Sequence, residues 1–242
     1  FRMCFSDPNQ GSASADYIAD NNLAKKVAVI YNSSDTYSSG IYQNFVTEAE
    51  KKGLEVVAAK AFTADNKTDF SVQIQKAKDA GAELVFLPIY YQEASLILAQ
   101  ANKAGFSPKW FGCDGMDGIL DLEGFDASLA ENLMFLTPFT ANATDDATQK
   151  FVADFKDAFG DTPIQFAADA YDCVYAYKAA LEASGATADM TAEELCDKMI
   201  EAFPTLTYDG LTGTGITWDS TGAVSKTPKG MVIENGAYVG ME

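Results

Sequence analysis

The 242-residue sequence has no histidine. That removes the commonest general base, the usual member of a nucleophilic triad and the commonest metal ligand together. Cysteine is sparse. Cys4, Cys113, Cys173 and Cys196 stand far apart and form no C-x-x-C pair, which argues against a structural zinc site and a disulfide scaffold. They read as small buried hydrophobes. Neither a metal nor a cofactor is expected. Basic residues are also scarce, 17 against 35 acidic ones, for a net charge of −18. A chain so acidic is a poor partner for nucleic acid or for an anionic membrane surface, which both demand basic patches. No run of 18 apolar residues exists, so no transmembrane helix is expected. The first residues, Phe1-Arg-Met-Cys-Phe5, carry no signal-peptide pattern and no initiator methionine. The expectation is a processed or trimmed chain, or a fragment.

What is present is a chain with a core: 48% of its residues are apolar, enough for one large or two small domains. Leu84 to Leu87 are four apolar residues in a row, too short for a helix and suited to a strand buried on both faces. Pro88 ends that ladder because it has no N–H to give. Similar strands are expected at 26–32, 55–62, 109–113 and 133–137. Helices alternate with them: 8–21, about 40–52 with Ile41, Phe45 and Ala49 on one face, one opened by Thr68 or Asp69, and one from about Gln92. Gly53, Gly81 and Gly105 close three of these helices. Alternating strand and helix with short joins means a doubly wound, parallel α/β layer.

After Pro138 the pattern changes. Three amphipathic helices follow one another: 145–159 capped by Thr144, about 167–183, and one opened by the capping box Thr191-Ala-Glu-Glu194. Their apolar residues include Phe151, Phe155, Phe159, Tyr171, Val174, Leu195 and Met199. A strand-like segment at 211–218, a strand at 230–234 and a hairpin through Asn235-Gly236 end the chain. Residues 138–225 supply too little sheet to cover three such helices. They read as part of a second lobe.

In an open α/β sheet ligands bind beyond the carboxyl ends of the strands. Tyr37, Tyr90 and Asp114 follow three different strands at that edge. A carboxylate beside phenols suits an ammonium group, through charge, hydrogen bonding and the ring face. Asp114-Gly115 also reads as an ordinary turn, and Tyr90-Tyr91 as loop packing. The acidic run Asp114, Asp117, Asp121, Glu123 and Asp126 fails the calcium-loop spacing. Gly210-Leu-Thr-Gly-Thr-Gly215 lacks the lysine and helix of a phosphate loop and reads as a bend feeding a strand. No serine sits in a G-x-S-x-G elbow. Paired carboxylates remain open as enzyme chemistry.

Several stretches resemble a known family: Phe86-Leu-Pro-Ile-Tyr-Tyr-Gln-Glu-Ala94, Gln100-Ala-Asn-Lys-Ala-Gly105, Phe111-Gly-Cys-Asp-Gly115 and Phe166-Ala-Ala-Asp-Ala-Tyr-Asp172. Shorter pieces are Asp7, Gln10-Gly11, Tyr37-Ser-Ser-Gly40, Asp69-Phe-Ser71 and Leu211-Thr-Gly213. In this order they are similar to the branched-chain amino-acid binding proteins of ABC importers, which have the type I periplasmic-binding-protein fold. The resemblance implies two α/β lobes joined by three crossings and closing on a small ligand by hinge motion. One lobe is complete and the other partial: 1–137 form the second lobe, 138–225 part of the first, and 226–242 return to the second. It implies that Asp114 and Tyr90 meet the ligand ammonium, that Tyr37 lines the pocket, that Asp7 lies at the first hinge beside the ligand, and that Phe166 lines the apolar side-chain pocket. Roughly the first third of the family's length has no counterpart, so a second chain or an N-terminal segment is expected to complete the first lobe. The implied function is that of a solute-binding component, not an enzyme. It would carry an aliphatic amino acid to an ABC permease in the periplasm or outside the cell, with or without a lipid anchor. A ligand sensor of the same fold and a carboxylate-dependent α/β enzyme are the alternatives.

Overall fold

The computed structural model describes residues 1–241. The chain divides into two compact units. One comprises Asp7–Thr137 and the segment from Pro228 onward; the other comprises Phe1–Ser6 and Pro138–Thr227. The first six residues thus join the helical unit and not the layer expected over 1–137. Phe1 stacks on Phe203 with ring centroids 4.4 Å apart, and the Trp218 indole donates to the Arg2 carbonyl at 2.7 Å. The return to the layer falls at Pro228, two residues later than expected.

The first unit is the doubly wound layer. Strands β1 (Lys26–Asn32), β2 (Glu55–Phe62), β3 (Leu84–Leu87), β4 (Lys109–Gly112) and β5 (Met134–Thr137) run parallel. Here β8 (Lys229–Glu234) and β9 (Ala237–Gly240) extend the sheet antiparallel beyond β5, giving the order β2-β1-β3-β4-β5-β8-β9. Asn235 and Gly236, both with positive φ, make the tight turn between them. Successive strand side chains point to opposite faces, and both faces are covered. Val27, Val29, Leu84 and Phe86 pack with α1 (Asp7–Asp20) and α2 (Thr36–Lys52). Ala28, Ile30, Val85 and Leu87 pack with α3 (Ser71–Asp79) and α4 (Tyr91–Lys103). That is why these strands read as unbroken apolar runs.

Helices α1 and α2 cross closely at Gly11. A Cβ there would lie 2.3 Å from the Ile41 carbonyl oxygen and 2.8 Å from the Phe45 amide nitrogen, both backbone atoms that cannot yield locally. Gly11→Ala is expected to destabilise this unit by about 1–3 kcal/mol, the usual cost of overpacking. A urea midpoint unchanged from wild type would show that the helices separate freely.

The second unit contains α5 (Asp146–Phe159), α6 (Gln165–Ser184), α7 (Ala192–Ala202) and the short antiparallel pair β6 (Tyr208–Gly210) and β7 (Gly213–Ile216). Asp145, not Thr144, caps α5 by accepting from the Thr148 amide. The capping box of α7 is complete, with Thr191 and Glu194 each bonding the other's backbone N–H. The strand expected over 211–218 starts earlier and folds back as β6–β7. Buried Asp172 holds that fold: it accepts from the Leu211 and Thr212 amides at 2.9 and 2.8 Å and from the Thr212 hydroxyl at 2.6 Å. Gly210 is needed beside it, since a Cβ would lie 2.6 Å from the Asp172 carboxylate.

Helix α6 buries Gln165, Ala168, Asp169, Asp172, Ala176 and Ala180 and leaves Tyr171, Val174 and Tyr175 exposed. Of the seven apolar residues for which residues 138–225 were expected to supply too little cover, Phe151 and Met199 are buried, Phe155 and Leu195 are half-buried, and Tyr171, Val174 and Phe159 face solvent, the last two at 68% and 69% exposure. Cys113 is buried as expected, but Cys173 and Cys196 are exposed on α6 and α7, and none of the four cysteines is in a disulfide. No helix among the described residues is long and apolar enough to cross a membrane.

Candidate functional site

Tyr37, Tyr90 and Asp114 converge at the carboxyl edge of the parallel sheet. Each arrives by a different local device. Tyr37 lies in the first turn of α2, which starts at Thr36, ahead of the expected start near residue 40. Asp35 caps that helix and accepts from the Tyr37 amide at 3.1 Å. The Ser38 hydroxyl accepts from the Asn32 amide at 2.8 Å, tying the helix start to the end of β1. Tyr90 occupies the cap position of α4 in extended conformation, just beyond the strand that Pro88 ends. Asp114 opens a 3-10 turn, Asp114–Met116, directly after β4.

The three side chains form one cluster. The Tyr37 hydroxyl donates to Asp114 Oδ1 at 2.6 Å, and the Tyr37 ring stacks on Tyr90 with centroids 4.7 Å apart and planes at 19°. Asp114 is only 4% exposed, and its own amide donates to Gln10 Oε1 at 3.2 Å. Burial, then Cys113 and then Asp114, raise the Tyr37 hydroxyl well above the usual phenol range. Burial also raises Tyr90, and the charges of Asp35, Asp114 and Asp7 add to the shift. Both phenols therefore stay neutral at physiological pH. The surroundings are anionic: Asp7 at the start of α1, Asp35 at the cap of α2 and Asp114 all act on Tyr90. A buried carboxylate with a neutral ring face beside it suits a small cation of ammonium type.

The Tyr37 hydroxyl donates to Asp114, accepts from the Gly115 amide at 3.0 Å and lies 2.9 Å from Cys113 Sγ. The hydroxyl is thus hydrogen-bonded within the protein on three sides. Gly115 makes this possible. A Cβ there would lie 2.8 Å from the Tyr37 oxygen and 2.7 Å from the Ile89 carbonyl oxygen. Sequence reasoning saw an Asp-Gly turn at this point and missed Cys113, Gly115 and Gln10 as supports. Nothing in their spacing announces that a tyrosine from another helix lies over them.

Phe166, the remaining expected site residue, belongs to the helical unit. It lies in the first turn of α6 and is 40% exposed. The acidic run after Asp114 behaves as turns and caps: Asp126 caps the 3-10 turn at Ala127–Ala130, and the amides of Gly118 and Leu120 donate to the Tyr238 hydroxyl. No cluster of potential metal ligands is found among the described residues. The glycine-rich stretch 210–215 is the β6–β7 fold held by Asp172.

Residues 1–236 match the profile of a family described as periplasmic binding protein. A Leu/Ile/Val-binding protein homologue of Brucella melitensis is 33% identical over 216 residues, covering 86% of this chain and 56% of the relative. Among solved structures, a leucine-binding protein of Thermotoga maritima superposes with a TM-score of 0.84 at 26% identity, covering 100% of this chain and 66% of that one. A branched-chain amino-acid transporter substrate-binding protein of Streptococcus pneumoniae, solved with isoleucine, gives a TM-score of 0.83 at 27% identity and covers 98% of this chain and 66% of its own. The chain thus spans a little over half to two thirds of the length of these relatives.

Proposed function

Because the chain belongs to the periplasmic binding protein family, we propose that the full-length protein binds an amino acid with an aliphatic side chain and delivers it to an ABC permease. The observation that carries this reading is the buried Asp114, held by Tyr37 beside the Tyr90 ring at the carboxyl edge of the parallel sheet. Asp114 takes the ligand ammonium. Tyr90 covers it with its ring, Asp7 adds negative potential from the start of α1, and Tyr37 keeps Asp114 in place. The names of the relatives support the ligand class: Leu/Ile/Val in Brucella, leucine in Thermotoga and isoleucine in Streptococcus. The carboxylate grip on the other end of the ligand is assigned to the length that the relatives have and this chain does not span. Delivery to a permease places the protein in the periplasm or at the cell surface.

The protein is read as a carrier that performs no chemistry on its cargo, in keeping with the binding-protein family to which it belongs. Full-length protein purified without refolding is expected to release leucine, isoleucine or valine on denaturation, identified by mass spectrometry. Its melting temperature should rise with these amino acids and not with their N-acetyl derivatives, which lack the ammonium. A rise equal for free and N-acetylated leucine would reject Asp114 as an ammonium site. A converted product after incubation would reject the carrier role.

A further inference from the structure

We propose that Cys113 is a positioning residue of this site, its thiol donating to the Tyr37 hydroxyl oxygen and thereby turning the phenol proton onto Asp114. The inference rests on the reading of Asp114 as the ammonium anchor and adds the group that sets its orientation. Cys113 is fully buried at the end of β4, where burial and then the Asp114 charge raise its thiol, so it remains an S–H donor at physiological pH. That proton has two acceptors within reach: the Leu87 carbonyl oxygen, 3.8 Å from Sγ, and the Tyr37 oxygen, 2.9 Å away. The shorter distance favours Tyr37.

The phenol oxygen then accepts from two sides, from Cys113 and from the Gly115 amide at 3.0 Å. Its own proton has one remaining destination, Asp114 Oδ1 at 2.6 Å. Without the thiol, one acceptor position of a buried phenol is left empty, which is costly in itself, and Tyr37 is held by one donor fewer. A carboxylate fixed before the ligand arrives loses less freedom on binding. Cys113 therefore acts on ligand affinity through Tyr37 and Asp114 without touching the ligand.

The test is a double-mutant cycle in the full-length protein. Cys113→Val removes the donor at similar volume, Cys113→Ser keeps a donor, and Tyr37→Phe removes the oxygen through which Cys113 acts. Calorimetric titration with leucine is expected to show Cys113→Val weaker by about 2- to 10-fold, the size of one neutral hydrogen bond. Cys113→Ser should recover most of that loss. In the Tyr37→Phe background, Cys113→Val should cost nothing further. Failure of Ser to rescue, or the same loss in both backgrounds, would reduce Cys113 to a packing residue and overturn the proposal. A second readout needs no ligand: the ζ-carbon NMR shift of Tyr37 in tyrosine-labelled protein. It should move in Cys113→Val and return in Cys113→Ser, and an unmoved resonance overturns the proposal. If wild type binds no amino acid, the carrier reading fails while this resonance still decides whether Cys113 sets the Tyr37 hydrogen bond.

Discussion

Asp114→Ala in the full-length protein is expected to weaken leucine binding by about 30- to 4,000-fold, which corresponds to the roughly 2–5 kcal/mol lost when one partner of a buried charge pair is removed. The effect is large because Asp114 is 4% exposed. An ammonium brought against it leaves water, and no solvent replaces the carboxylate once it is gone. Asp114→Asn keeps the shape and still accepts from Tyr37, so it separates charge from packing and should lose nearly as much. Tyr37→Phe removes the 2.6 Å bond that orients the carboxylate and should cost less than either Asp114 change. Tyr90→Phe keeps the ring stacked on Tyr37 and should cost least. Calorimetric titration gives the ranking, and circular dichroism shows whether each variant is folded. An unchanged affinity in Asp114→Ala would remove Asp114 from the site, and with it the ammonium reading.

The second large effect concerns the helical unit. Phe159, Tyr171, Val174 and Tyr175 are exposed on α5 and α6. Aromatic contacts join three of them to the buried Phe151: Phe155 links it to Phe159 (4.7 Å), and Tyr171 to Tyr175 (4.6 Å). Burying a side chain of this size is favourable by roughly 1.5–3 kcal/mol, so four forgo on the order of 6–12 kcal/mol, an upper bound because unfolded chains also bury surface. That is comparable to the net stability of a whole domain. Among the described residues the unit's only sheet is the two-stranded β6–β7 pair, so no internal sheet covers this face. The 242-residue polypeptide is therefore expected to bind a hydrophobic dye such as ANS strongly and to self-associate in sedimentation velocity. Phe159→Lys with Val174→Lys should reduce both. A monodisperse 242-residue monomer that binds no dye would show that the exposed face is tolerated in water.

Much of the first unit was legible in the sequence, because its determinants are local. A strand buried on both faces must be apolar at every position, and Val27–Ile30 and Leu84–Leu87 are. The carboxyl-edge rule then placed Tyr90 and Asp114 from strand ends alone. The capping box of α7 and the Asn235-Gly236 turn could be read for the same reason, since each is satisfied within a few residues.

What needed the tertiary structure was every relation between groups far apart in the chain. Helix α6 illustrates the limit. Its sequence contains an aromatic stripe and an alanine stripe, and periodicity cannot say which is buried. The buried side includes Ala168, Ala176 and Ala180, small side chains that let neighbouring elements approach, while Tyr171, Val174 and Tyr175 stay exposed. Tyr37 shows the same limit at the site. The sequence established a phenol near the ligand edge, but only the fold brings its oxygen within 2.6 Å of Asp114, 77 positions away, and against Cys113 and Gly115. A hydroxyl's role depends on which donors and acceptors surround it, and those come from β4 and its turn, not from the residues beside it. The amino-acid sequence by itself therefore determined the layer, its carboxyl edge and the anionic residues along that edge. Tertiary packing decided that Asp114 is buried and that Tyr37, from another helix, donates to it.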